Sequence, residues 1–216
     1  MTFDPEKRHR RSIRLKGYHY RQSGAYFVTI CTRDRACLFG EVVDGEMRLN
    51  EAGRMVVAEW EEVPERFPHI ELDAFVVMPN HIHGIIVITE TKNLVGAGLV
   101  PAQNAGRNDV GAGLVPAPYR ATPIWAITRV APTVGDVIGV FKSSVTVEYA
   151  RRVKTSGWPP FHGRLWQRNY YERIIRNEKS LNGIREYIAT NPLRWHLDNE
   201  NPTRTAEDIL WDDLFG

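Results

Sequence analysis

The sequence predicts an α+β chain: an antiparallel sheet with helices on one face and a further helix appended at its C-terminal end. Three observations carry this. β-branched and aromatic runs recur at residues 25–32, 71–78 and 81–89. Apolar residues at helical spacing fill the stretches around 51–66, 134–154 and 178–190. The second and third β-rich runs are separated only by Pro79-Asn80, which leaves room for nothing but a tight antiparallel connection.

Residues 25–32 (AYFVTICT) read as the first strand. Asn50 is a candidate N-cap for a helix over 51–66, with Met55, Val56 and Trp60 on one side. Residues 71–78 (ELDAFVVM) and 81–89 (HIHGIIVIT) read as a hairpin of strands. The texture then changes: the octamer VGAGLVPA occurs at 95–102 and again at 110–117. Two copies are too few for a repeat architecture, so residues 91–131 read as a flexible insertion without chemistry of its own.

Beyond it, Val134, Val137, Ile138, Phe141, Val145 and Tyr149 follow helical spacing, behind a capping box of Thr133 and Asp136. Residues 165–175 (LWQRNYYERII) read as a fourth strand. A last helix over 178–190 starts behind Asn177, with Leu181, Ile184 and Ile188 as its buried stripe and Pro192 just past its end. The order strand, helix, strand, strand, helix, strand, helix is that of a ferredoxin-like, RRM-like sheet plus one helix.

Composition narrows the function. At 216 residues the chain can bury a full core, and its only cysteines, Cys31 and Cys37, make no disulfide framework. With no apolar run long enough to span a bilayer and no secretory leader, the expectation is a cytoplasmic protein without a membrane partner. The net charge of +2 is unevenly placed. Residues 197–216 read as an acidic tail carrying −5, which leaves +7 on the rest. Residues 1–24 read as a basic arm in which Arg10, Arg11, Arg14 and Lys16 precede Tyr18, His19 and Tyr20. That pattern suits a phosphate backbone and stacked bases, or equally a solvated leader.

The sharpest chemical feature is His81-Ile82-His83 in an apolar strand. A period of two puts both imidazoles on one face, where one divalent ion can touch both. Two core histidines satisfied by hydrogen bonds would give the same pattern. Tyr187 and Asn191 lie four apart on the last helix and so share a face. Two imidazoles and an amide oxygen form a mixed N/O set that suits Mg²⁺ or Mn²⁺, with a tyrosine hydroxyl one turn away. The plainer reading makes Tyr187 an amphipathic surface side chain and Asn191 a helix cap.

Taken together, FVVMPNHIHGIIVI, VFKSSVT and LWQRNYYERIIRNEKSLNGIREYIATNP closely resemble the REP-associated tyrosine transposases, which are single-tyrosine HUH transposases of insertion sequences. The resemblance covers roughly residues 14–196 apart from the insertion. It implies that the last helix is catalytic, with Tyr187 in a YI-x-x-N pattern as nucleophile and His81, His83 and Asn191 as metal ligands. It further implies cutting of single-stranded DNA hairpins, repetitive extragenic palindromes, through a 5′-phosphotyrosine, by a nucleoid-associated monomer or homodimer. DNA contacts would come from the basic arm and from Lys142, Arg164, Trp166 and Arg168, for which surface packing is the competing explanation. Two other classes stay open: a non-catalytic single-stranded nucleic-acid-binding module, and an HxH metallohydrolase using a metal-bound water, for which His162 is the spare ligand.

Overall fold

The computed structural model describes residues 23–89 and 132–204. The basic arm with Arg10, Arg11, Arg14 and Lys16, the 91–131 insertion and the last twelve residues of the chain lie outside the described residues. Strand β1 (Gly24–Cys31) leads through a 3-10 turn, Arg33–Arg35, to a short hairpin of β2 (Gly40–Val43) and β3 (Glu46–Leu49). Helices α1 (Glu51–Glu61) and α2 (Val63–Arg66) precede β4 (Ile70–Val77) and β5 (His81–Ile88). After the insertion come α3 (Val134–Ser156), β6 (Tyr171–Ile175), α4 (Glu178–Thr190) and a 3-10 segment, Pro192–Leu197.

The main sheet has four antiparallel strands in the order β4-β5-β1-β6. That is the ferredoxin-like order expected, with the small hairpin as an addition. Alternation along the strands sends opposite sets of side chains to the two faces. Tyr26, Val28, Ile30, Ile82 and Ile86 are buried on one, toward Trp60 of α1 and Phe141 of α3, whose rings meet edge-on at 5.1 Å. Phe27, Ile85 and Ile175 point the other way and pack with Ile188 of α4. The appended helix therefore packs on the second face, and a pair of hydrogen bonds from Arg185 to Asp73 at the β4 bulge ties it to the sheet edge.

Three local expectations differ from the structure. The helix expected over 51–66 breaks at Glu62, and Pro64 then occupies the first turn of α2, where its missing N–H has no partner to lose. The fourth strand is confined to 171–175; residues 165–170 form no strand, and Trp166 pairs with Thr32 through an isolated bridge. Pro192 does not turn the chain away from the helix: Asn191 keeps helical angles and the backbone runs on into the 3-10 segment, with the proline at its start. The caps are as expected, with Asn50, Thr133 and Asn177 each accepting from a first-turn N–H.

Gly84 marks a close approach. A Cβ there would stand 2.5 Å from Cζ2 of the fully buried Trp60. Gly84→Ala is expected to cost about 1–3 kcal/mol, as overpacking typically does. Urea denaturation checks this, and a midpoint equal to the parent's would show that Trp60 has room to move.

Candidate active site

The two histidines sit in the middle of the sheet on the α4 side. Register places His83 beside Thr29 and His81 beside Cys31, all four on odd positions of their strands and hence on one face. His81 is fully buried and His83 nearly so. Their Nε2 atoms face each other at 3.0 Å. Tyr187 reaches in from α4, its Oη 3.2 Å from His83 Nε2. Phe27 packs beneath this group, stacked on His83 at 5.3 Å and edge-on to Tyr187 at 6.1 Å.

The outer nitrogens decide what the inner ones can do. Asn80 Nδ2 donates to two carbonyls, Arg35 at 3.0 Å and Glu200 at 2.7 Å, which turns its Oδ1 toward His81. His81 Nδ1, 2.9 Å from that oxygen, must then carry the proton, and Nε2 presents a bare lone pair. His83 Nδ1 lies 2.9 Å from Thr29 Oγ1, a hydroxyl that donates or accepts, so His83 Nε2 is also able to offer a lone pair.

Asn191 and Asp198 complete the cluster. Asn191 is buried rather than projecting from an open helix end, because the helical backbone continues past it. Its Nδ2 donates to Asp198 Oδ2 at 3.2 Å, while its Oδ1 is buried with no hydrogen-bond partner. Asp198 Oδ2 in turn lies 3.7 Å from His81 Nε2. One ligand atom from each of His81, His83 and Asp198 falls within 4.8 Å of the others. Two imidazole lone pairs and a carboxylate thus lie close enough to share one metal ion, and the Asn191 amide, its oxygen unpaired, adjoins that carboxylate.

Burial governs the protonation states. It pushes the His81 imidazolium down to about 3, and it moves His83 the same way, reinforced by the neighbouring His81. Both rings are thus neutral at physiological pH, the form in which an imidazole can bind a metal. Burial, helped by the Asp198 carboxylate, pushes the Tyr187 phenol up to about 12. It is a protonated phenol at neutral pH.

A stability effect follows. Below the ordinary histidine value of 6.5 the unfolded chain binds protons that the folded protein refuses. The contribution of the pair is therefore complete above that value and is lost as pH falls toward about 3. In EDTA, unfolding free energy is expected to drop by on the order of 2 kcal/mol per pH unit through the weakly acidic range. Urea titrations at stepped pH measure it, and a flat profile would mean the histidines are open to solvent.

The residues named for DNA contact divide. Arg164 and Arg168 are exposed. Trp166 is buried, and its indole N–H donates to the Lys142 carbonyl at 3.1 Å. Lys142 Nζ donates to the carbonyls of Gln167 and Asn169 at 2.8 and 3.0 Å, and burial pushes its ammonium down to about 8. These bonds tie the 165–169 loop to α3. His162 is exposed and lies outside the cluster of potential ligands. Sequence reading missed Thr29, Asn80 and Asp198. Asn80 had a signal in its place beside His81; Asp198 had none, standing among other acids in the presumed tail.

No family model matches the chain. An uncharacterized protein of Haemophilus influenzae is 42% identical over 190 residues, which span 88% of this chain and 92% of that one. The chain belongs to that protein's family. Family membership brings a shared fold but no activity, since its Haemophilus member is uncharacterized. Among solved structures, a REP-associated tyrosine transposase bound to a REP hairpin is similar over 84% of this chain and 74% of its own, at 18% identity and a TM-score of 0.44. A proposed transposase from Deinococcus radiodurans is similar over 82% and 95%, at 15% identity and a TM-score of 0.38. No helix among the described residues is long and apolar enough to cross a membrane.

Proposed function

We propose that the chain is a metal-dependent endonuclease and strand transferase that cuts single-stranded DNA at palindromic hairpins through a covalent bond to Tyr187. The observation that carries the reading is the phenol oxygen 3.2 Å from His83 Nε2, itself 3.0 Å from His81 Nε2, with the unsatisfied Asn191 amide oxygen on the same helix. A structural histidine pair would have no need of an orphaned acceptor and a half-exposed phenol beside it.

His81, His83 and Asn191, with Asp198 beside them, would hold Mg²⁺ or Mn²⁺, which supplies Lewis-acid polarisation of the scissile phosphate. The chain's own residues do the rest. Tyr187 Oη forms a bond to phosphorus and gives up its proton; the bond from phosphorus to the 3′ oxygen breaks, and that oxygen takes up a proton. The products are a 5′-phosphotyrosine and a free 3′-OH. One phosphodiester replaces another, so the step runs backward onto a new 3′-OH with no nucleotide cofactor. Phe27 and the sheet beneath exclude water from the buried side of the phenol.

The hairpin substrate follows the motif resemblance to the REP-associated enzymes. The basic arm, with Arg164 and Arg168, would hold its backbone, and such a substrate puts the protein at the nucleoid, in the cytoplasm. The test is adduct formation: a labelled palindromic hairpin with single-stranded flanks is incubated with the protein and Mn²⁺, then run under denaturing conditions. A labelled protein band that EDTA abolishes is the expected result. Cutting without any adduct would turn the reading to a hydrolase, and binding without cutting to a non-catalytic module.

A further inference from the structure

Away from the catalytic cluster, the described residues carry an open cleft of about 740 Å³ whose walls include Arg33, Arg35, Arg164 and Arg168. Four guanidinium groups meet a single carboxylate in that lining, Asp34. The walls are built, not incidental. Arg33 N–H donates to the Leu165 carbonyl at 2.8 Å and Gln167 N–H to that of Cys31 at 2.9 Å, which sews the 165–167 loop to the end of β1. Lys142 pins the loop from behind, and the Arg33 guanidinium donates to the His162 carbonyl at 3.4 Å. Asp34 and Arg35 both hold the left-handed backbone, φ 55° each, which non-glycine residues adopt at a cost.

The cleft is joined to the chemistry. Arg35 pairs with Glu200 at 3.0 Å, and Glu200 N–H donates to Asp198 Oδ1 at 2.7 Å. The carbonyls of Arg35 and Glu200 are the two acceptors that orient Asn80 against His81. A free phosphate ion would fill only a small part of this volume. Four guanidinium groups around one open cleft can meet more than one phosphate of a nucleic-acid strand.

We propose that this cleft seats the sugar–phosphate backbone of the single DNA strand entering the catalytic centre, and that Arg35 exchanges the Glu200 carboxylate for a phosphodiester when the strand binds. This rests on the nuclease reading for its direction, but not for its measurement. Arg33 and Arg35 join Arg164 and Arg168 as strand-binding residues, and Glu200 becomes the group that the strand displaces.

The test uses the full chain in EDTA, where nothing is cut, and a fluorescein-labelled oligothymidylate of about twelve nucleotides, read by anisotropy across a salt series. The double variant Arg164→Ala, Arg168→Ala removes two exposed side chains and is expected to bind at least about 10-fold more weakly at low salt. Its plot of log affinity against log salt should be shallower by about 1.4, the value for two lost single-strand phosphate contacts. Lys154→Ala, Lys179→Ala changes net charge equally at exposed positions outside the cleft and is expected to lose less than about 2-fold. Glu200→Gln frees Arg35 and should bind about 5-fold more tightly. Equal losses in the two double variants overturn the cleft, and unchanged or weaker binding by Glu200→Gln overturns the exchange. Adduct formation on Tyr187 is scored separately, so either reading can fail while the other stands.

Discussion

Tyr187→Phe is expected to bind hairpin DNA as the parent does, to form no covalent adduct, and to cut at least about 10⁴-fold more slowly. The substitution deletes one oxygen from a side chain that is 39% exposed. The hydrogen bond it removes, at 3.2 Å to His83, contributes about 1 kcal/mol or less to folding, so a lost activity reports on chemistry. Two neighbours supply the controls. Tyr170 donates its hydroxyl to Glu172 at 2.8 Å. Tyr171 is the harder case, because its pairing with Thr29 puts it on the histidine face of the sheet, where it packs edge-on to Phe27 at 6.3 Å. Both Tyr170→Phe and Tyr171→Phe should still form the adduct. Mass spectrometry that maps the adduct to Tyr171 would move the nucleophile from helix to strand and leave the enzyme class intact.

His81→Ala and His83→Ala are expected to lower metal-dependent cleavage by about 10³-fold or more and to weaken Mn²⁺ binding in parallel, as read by calorimetry. Each removes one of two neutral imidazole lone pairs aimed at the same point. Asn80→Ala should act through His81. With the acceptor for Nδ1–H gone, the ring is free to change tautomer and turn, and losses of about 10- to 100-fold in metal affinity are typical of such supporting groups. Histidine variants that bind Mn²⁺ as the parent does would make the pair structural. A circular-dichroism melt accompanies each variant, since both rings are buried in the sheet.

Much of this was legible in the residues. The strands declared themselves by β-branched and aromatic runs, the helices by their caps and apolar spacing, and the two histidines by sharing a strand face. The β2–β3 hairpin went unread although its turn is spelled Asp44-Gly45, with φ 55° and 77°, the pairing that suits a tight hairpin. Its strands are four residues each and only half-buried, so no hydrophobic run announced them. Residues 165–170 carry strand-like side chains but spend them on packing: Leu165 and Trp166 are buried, Trp166 against Phe39 and Phe141, while the backbone makes one bridge. Asp198 escaped for a different reason. Its role depends on a 3-10 segment folding back over β5, and that return path is written in no local periodicity.

The helix α4 carries the phenol and is capped by the residue with the orphaned amide, while the sheet carries both imidazoles. The spacing of Tyr187 from Asn191 is set by helix geometry and cannot drift. The spacing of that rigid pair from the histidines is set elsewhere, by how deeply Ile188 seats among Phe27, Ile85 and Ile175. An apolar contact thus acts as the depth stop of the site. Trimming Ile188 by one methyl group would let the whole helix settle or tilt, moving phenol and amide together, so the reach of the proposed reaction could be retuned without altering any group assigned to it.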